Sequence, residues 1–319
     1  MSETGQESIV QTDRIIRIGT RGSPLALWQA DAVRDRLISM LGLSPDRVAR
    51  VIIKTSGDMI QDRALSQAGG KGLFTKEIDE AMLAGAIDLA VHSAKDMPTA
   101  FPADIEIAGY LPREDVRDCL ISTRSGSLEA LPKGAVIGTA SLRRAALIKR
   151  LRPDLQTTLL RGNVETRLRK TAEGEVDATL LALAGLKRLG LERLATMVMP
   201  VDVFPPAVGQ GAIAITARAS DAPVAATVRG IADDNTGTAL AAERAFLTVL
   251  DGSCRTPIAG YAKVSDGTVH FRGMLLRVDG SEVFETQCSG PIQEAAALGA
   301  QAGREILSRA PADVLMHSG

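Results

Sequence analysis

The sequence predicts an α/β protein of two lobes followed by a small α+β domain. Three observations lead there. The chain has 319 residues, too many for one compact core. Through residue 217, short apolar runs alternate with longer amphipathic ones, the rhythm of strands covered by helices. After residue 240 the pattern changes to strands bunched together between two helices, as in a domain with an antiparallel sheet.

Residues 14–19 read as a strand and 24–41 as a helix, with Pro24 in its first turn. Residues 50–54 are a second strand, 73–86 a helix and 87–91 a strand entered through Gly85. This βαβ-like order predicts a largely parallel sheet. A second set begins near residue 117, with strands at 119–122, 135–138, 157–160 and 178–183 and helices at 141–151 and 164–172. Pro205, Pro206, Gly209 and Gly211 break the pattern, and 212–217 is one more strand. The last part holds a helix at 240–250, strands at 258–263, 269–276 and 283–288, and a closing helix at 292–308. The expected domains are 14–112 with 212–229, then 117–206, then 234–319, with 1–13 a disordered tail. No internal repeat stands out. Ligands of such sheets bind beyond the carboxyl ends of strands, where loops open helices.

Composition narrows the function. Net charge is −1, so nothing global draws the chain to nucleic acid or membrane. The opening residues are polar and lack the basic start and apolar core of a signal peptide, and no apolar run reaches spanning length. A cytoplasmic protein is expected. Cys119, Cys254 and Cys288 are odd in number without CxxC spacing, which argues against a disulfide framework or zinc site. His92, His270 and His317 are the only histidines, and no metal is expected. Of 37 basic residues only nine are lysines, which leaves 28 arginines. A GC-rich genome explains that bias as well as a need for planar carboxylate-gripping forks does, and position decides between them.

Three strand exits pair a helix start with arginine: Arg17, Arg21 and Ser23; Thr139, Ser141, Arg143 and Arg144; Arg161, Asn163 and Arg167. A helix N-terminus offers free amide donors and a positive dipole end. Each site alone reads as ordinary capping with solvated charge; together they predict a polyanionic ligand. Carboxylates fit better than a nucleotide, because neither a Walker motif nor GxGxxG is present. Residues 69–72 form a glycine-rich loop around Lys71, equally readable as a flexible surface loop. The strand ending at residue 91 delivers His92, Ser93, Lys95 and Asp96 into a loop closed by Pro98. A carboxylate there can stabilise a developing cation or move a proton, or be a plain ion pair with Lys95. Cys254 sits in a Gly/Ser loop beside Arg255, placed to be reactive, whereas Cys119 and Cys288 lie in apolar strands and read as packing residues.

These stretches, taken together and in order, resemble the porphobilinogen deaminase family. The resemblance is carried by RIGTRGSPLALWQ at 17–29, GKGLF at 70–74, HSAKD at 92–96, SLRR at 141–144, RGN at 161–163, VGQG at 208–211 and the Cys254 loop. It implies two lobes like those of periplasmic binding proteins plus a third domain with the cofactor loop. It also implies a dipyrromethane cofactor joined to Cys254 by a thioether, and Asp96 as the catalytic carboxylate. By position, the resemblance implies that Arg21, Ser23, Lys95, Thr139, Ser141, Arg143, Arg144, Arg161, Arg167 and Arg188 bind the cofactor. Arg17, Arg21, Lys71, Phe74, Ser93 and Gln210 are the implied substrate-binding residues. The implied reaction joins four porphobilinogen molecules with loss of ammonia, by a monomer without nucleic-acid or membrane partners. Gln67 stands where the family often has lysine, so one rim cation is missing. Each pyrrole brings two carboxylates, which accounts for the arginines by position. The competing reading is a two-lobed sensor or carrier of an organic anion. It would share the arginines but would need neither Cys254 nor Asp96.

Overall fold

The computed structural model describes residues 14–59, 72–250 and 256–315. Thirteen strands run in chain order: β1 Ile16–Thr20, β2 Val48–Ile52, β3 Leu89–Ser93, β4 Ile105–Tyr110, β5 Asp118–Ser122, β6 Val136–Gly138, β7 Gln156–Thr158, β8 Ala178–Ala182, β9 Met197–Val198, β10 Ile213–Arg218, β11 Ile258–Ser265, β12 Thr268–Leu276 and β13 Val283–Pro291. The α-helices are α1 Pro24–Leu41, α2 Ser56–Met59, α3 Lys76–Leu83, α4 Leu142–Leu151, α5 Val164–Ala172, α6 Leu183–Arg188, α7 Ala222–Arg229, α8 Asp234–Val249, α9 Ala295–Arg309 and α10 Ala312–Leu315. The described residues fall into two compact units, one of 14–59, 72–113 and 212–237, the other of 114–211, 238–250 and 256–315.

The first unit is a five-stranded sheet in the order β2-β1-β3-β10-β4. β1 pairs in parallel with β2 and β3, but β10 runs antiparallel to both β3 and β4. The expectation of a largely parallel sheet is corrected here: a strand from far along the chain enters the middle of the sheet in the opposite sense. Both faces are covered. Ile16, Ile18, Val33, Leu37, Val91 and Ile215 share one core cluster, and Ile78, Met82, Ile87 and Ile105 share another. Helix α1 is bounded at both ends by chemistry readable in the sequence. Ser23 Oγ accepts from Ala26 N at 3.4 Å, and Gly42 takes the left-handed conformation that ends the helix, at φ 65°. Losing the Ser23 cap would cost about 1 kcal/mol.

The second unit repeats the pattern. Its sheet runs β7-β6-β8-β5-β9, with β6 parallel to β7 and β8, and β5 antiparallel to β8 and β9. The C-terminal meander β11-β12-β13 is antiparallel, as expected, and α9 packs against it. Ala259, Met274 and Leu276 of the meander belong to the same core cluster as Leu120, Ile137 and Leu147. The C-terminal sheet therefore shares a core with the middle sheet. Helices α8 and α9 approach so closely that a Cβ on Gly299 would run into the backbone of Ala242. The helix expected from residue 73 begins only at Lys76, after a turn over 72–75. The expected tail, residues 1–13, lies outside the described residues.

Candidate functional site

In the first unit, parallel pairing of β1 with β3 brings their carboxyl ends to one sheet edge. The register Gly19↔Ala90, carried two residues further, sets Arg21 beside His92. Arg21 follows β1 and precedes the Ser23 cap. Its guanidinium is held from two sides. Nε donates to Asp58 Oδ1 at 3.1 Å and Nη2 pairs with the same carboxylate, while the Phe74 ring centroid lies 4.2 Å from its Cζ. Thr55 Oγ1 donates to Asp58 Oδ2 at 2.8 Å. Burial raises the Asp58 pKa, but the hydrogen bonds and charge of Arg21 outweigh it and hold the carboxyl below its usual range. Phe74 fits because residue 57 is glycine; a Cβ there would strike the ring.

β3 ends at Ser93 and passes into a single 3₁₀ turn, Ala94–Asp96. Gln29, buried on α1, donates through Nε2 to Ser93 Oγ at 2.9 Å and so ties the turn to the helix. Lys95 is half-buried and Asp96 is exposed. Among the described residues no ion pair joins the two, so the plain ion-pair reading of Asp96 has no support here.

His92 is buried, its Nε2 lying 3.3 Å from Thr216 Oγ1. Burial, then the Arg21 charge, pushes its pKa from 6.5 down to about 4. Asp79 in α3 moves the other way: burial, opposed by a hydrogen bond from Thr75, pushes it from 3.8 up to about 6. As pH falls from 6.5 to 4, the unfolded chain takes up a proton at residue 92 that the folded chain refuses, so stability falls. As pH falls from 6 to 3.8, the folded chain binds a proton at Asp79 that the unfolded chain does not, so stability rises. Each effect is worth up to about 3 kcal/mol, and the two oppose. The wild type should therefore show little change in Tm from this pair between pH 6 and 4.5. On the same acidification His92→Gln should gain stability and Asp79→Asn should lose it. Melts at the two pH values decide; two variants that both follow the wild type would refute the pairing.

Arg17 belongs elsewhere. It lies near the amino end of β1, where Nε and Nη2 donate to Asp88 at 3.0 and 2.9 Å. Arg14 and Arg218 meet the same fully buried carboxylate. Arg17 thus braces the amino end of the strand against Asp88, at the opposite end from Arg21. Lys71, Gln67 and Cys254 lie outside the described residues.

In the second unit the parallel neighbours β6 and β7 carry two helix starts to one edge. Thr139 Oγ1 accepts from Ser141 N at 3.1 Å, and Ser141 Oγ caps α4 by accepting from Arg144 N at 3.4 Å. Asn163 Oδ1 caps α5 by accepting from Thr166 N at 2.8 Å. Arg161 is half-buried just before that cap, and Arg167 Nε reaches back to the Gly162 carbonyl at 3.0 Å. Arg188, at the end of α6, donates to the Gly211 carbonyl at 2.6 Å. Burial pushes its pKa down to about 10.

The paired arginines are buried instead of lining an open edge. Arg143 Nη2 donates to Asp118 Oδ2 at 2.7 Å, and Arg144 Nη2 to Asp118 Oδ1 at 2.6 Å. Arg143 also donates to the Pro205 carbonyl and Arg144 to the Leu180 carbonyl, each at 2.7 Å. Gln210 is fully buried as well, its Nε2 donating to Val116 O at 2.8 Å and to Asp118 Oδ1 at 2.9 Å. Gln210 thus supports the arginines from inside, through the carboxylate they share. Arg144→Leu should consequently lower stability by about 3–5 kcal/mol, the cost of breaking a buried charge pair. A melt within about 1 kcal/mol of wild type would restore the open-edge reading.

Residues 16–226 match the family described as porphobilinogen deaminase, dipyromethane cofactor binding domain, and residues 238–308 match porphobilinogen deaminase, C-terminal domain. The chain belongs to the porphobilinogen deaminase family. Porphobilinogen deaminases of Nitrobacter hamburgensis and Nitrobacter winogradskyi are each 57% identical to it over 304 residues, 95% of this chain and 96% of theirs. Among solved structures, the methionine binding protein MetQ superposes with a TM-score of 0.45 at 13% identity, over 70% of this chain and 93% of that one.

Sequence reasoning missed three carboxylates that organise the two units: Asp58, Asp88 and Asp118. The last two are fully buried. The available signal was an acid embedded in, or adjoining, an apolar run, as in IDLAV at 87–91 and DCLIS at 118–122. A buried acid needs partners, and arginines are abundant here.

Proposed function

We propose that this chain is a hydroxymethylbilane synthase, condensing four porphobilinogen molecules with loss of ammonia into a linear tetrapyrrole for haem biosynthesis. The observation that carries the proposal is cationic: Arg143 and Arg144 are both buried, and one carboxylate, Asp118, is shared between them. Arg143 Nε is buried without a hydrogen-bond partner. A site with two cations, one anion and a helix start calls for a further carboxylate, and a dipyrromethane brings four. The residues therefore fit the group.

By position in the family, Arg21, Ser23, Lys95, Thr139, Ser141, Arg143, Arg144, Arg161, Arg167 and Arg188 would hold it, with the thioether at Cys254. When bound, it supplies the nucleophilic pyrrole carbon on which the product grows. The protein's own part is binding and electrostatics. Arg21, braced by Asp58 and Phe74, presents a guanidinium whose direction is already set, so gripping an acetate or propionate costs little ordering. Ser93, fixed by Gln29, offers a hydroxyl beside it. Asp96 holds an exposed carboxylate at the end of β3, where it would stabilise positive charge at a pyrrole nitrogen and pass a proton. Each addition forms one carbon–carbon bond, breaks one carbon–nitrogen bond and releases ammonia.

The proposal extends to a cytoplasmic monomer. Among the described residues no helix is long and apolar enough to cross a membrane. Intact mass tests the assignment. Protein from cells that make porphobilinogen should exceed the bare chain by roughly 420 Da, two pyrrole units less two ammonias. Bare-chain mass would favour the anion carrier.

A further inference from the structure

Three buried side chains from two separate segments converge on Asp118. Arg143 and Arg144 come from the first turn of α4, and Gln210 from the segment preceding β10. Asp118 opens β5, in register with Ala182 of β8, and its carbonyl accepts from Met199 N at 2.9 Å. The carboxylate is thus fixed by the sheet before it fixes anything else.

We infer that Asp118 is a positioning residue for the reaction assigned above, acting through Arg143 and Arg144, whose guanidiniums it aims while neutralising only one of their two charges. The inference rests on that assignment. Arg144 is locked in rotation, because Nε and Nη2 both meet Asp118 Oδ1, at 3.2 and 2.6 Å, while Nη1 meets Leu180 O. Arg143 is held by Asp118 on Nη2 and Pro205 O on Nη1, with the Phe204 ring centroid 5.8 Å from Cζ. The side chains of Asp118, Arg143 and Arg144 are 0%, 5% and 7% exposed, so water screens their charge little. Burial pushes the Arg143 pKa down, and Asp118 opposes this only in part while Arg144 adds to it. Among the described residues, one positive charge of the two arginines remains uncompensated beside the start of α4, held in a geometry that needs no reorganisation when an anion arrives.

A positioning role differs in sign from plain neutralisation. Removing a neutraliser would leave more positive charge and tighten an anionic substrate. Removing a positioning group mis-aims the forks and loosens it. A purely structural group would lower the melt and leave KM alone. The test uses Asp118→Asn and Asp118→Glu as full-length protein, with three readouts: thermal melt, the fraction carrying the added 420 Da or so, and KM against kcat for porphobilinogen on the loaded fraction. The folded Asn variant should load poorly and raise KM about 10-fold to 100-fold, the loss expected for a mis-aimed charge-assisted contact. kcat should change less, and Glu should recover part of the loading.

Normal loading with an unchanged or lowered KM in the folded Asn variant would overturn the inference. Where Asn does not fold, Gln210→Ala decides. It withdraws a neutral donor from Asp118 without stranding a charge, and it should raise KM severalfold; an unchanged KM with normal loading overturns the positioning role. Wild-type protein without the added mass overturns the assignment and this inference together, whereas loaded wild type beside an unaffected variant overturns the inference alone.

Discussion

Asp96→Asn should fold with a melt close to wild type and should lose elongation almost completely. The substitution keeps size and removes charge. Asp96 is exposed at the end of β3 and makes no ion pair among the described residues, so little stability depends on it. If its carboxylate stabilises positive pyrrole nitrogens, losing it should cost about 10²–10³ in rate. Loss of proton transfer by the same group would add to that. Single-turnover ammonia release beside a thermal melt separates chemistry from folding. Turnover within a few-fold of wild type would remove Asp96 from the reaction and return it to the surface.

Cys254→Ser should abolish retention of the added mass. A hydroxyl is a far poorer nucleophile than a thiolate, so no thioether can form. The other two thiols should not substitute for it. Burial pushes Cys119 up to about 12, with its Sγ donating to the Leu181 carbonyl, and burial with the Glu305 charge raises Cys288 as well. Both stay protonated at neutral pH. The expected result is a folded chain of bare mass without turnover. Full added mass in Cys254→Ser would move the attachment to another residue and break the link between this loop and the chemistry.

How much of this was legible beforehand depended on whether the determinant was local. The helices expected at 24–41 and 164–172 are found with those bounds, because Ser23, Gly42 and Asn163 mark the ends through their own backbone and side-chain chemistry. The three C-terminal strands were legible for the same reason, with turns between short apolar runs. β4 was not, since its burial shows no clean alternation along IEIAGY. Nor was α6, six residues long and continuous with the apolar run of β8. The reversed sense of β10 could not be read from periodicity, because direction belongs to the pairing partner and not to the segment.

The site shows the same division. Residue type and position placed Arg21, Ser23, Ser93, Ser141 and Asn163 at strand exits, where they are. Burial was the hidden variable. Arg143 and Arg144 read as exposed forks because arginine usually is exposed, and only the fold reveals Asp118 beneath them. Arg17 read as a neighbour of Arg21, but four residues of extended strand separate its end of the sheet from the other by about 13 Å.

The place of β10 bears on synthesis. The strands of the middle sheet all lie between residues 118 and 198, so the ribosome delivers them as one uninterrupted stretch. The first sheet lacks that advantage. Its fourth position is filled by residues 213–218, which emerge about a hundred residues after β4. Until then β3 and β4 each present an unpaired edge with apolar side chains on both faces, the condition in which nascent chains stick to one another. The long wait also raises contact order and slows closure of the sheet. A chain ending before residue 213 should therefore leave residues 14–113 open to protease, and a protected fragment of that length would show that the sheet closes without its reversed strand. The N-terminal third, although first to be made, stays exposed to aggregation until residue 218 has emerged, and the cell's chaperones would meet this protein at that stage.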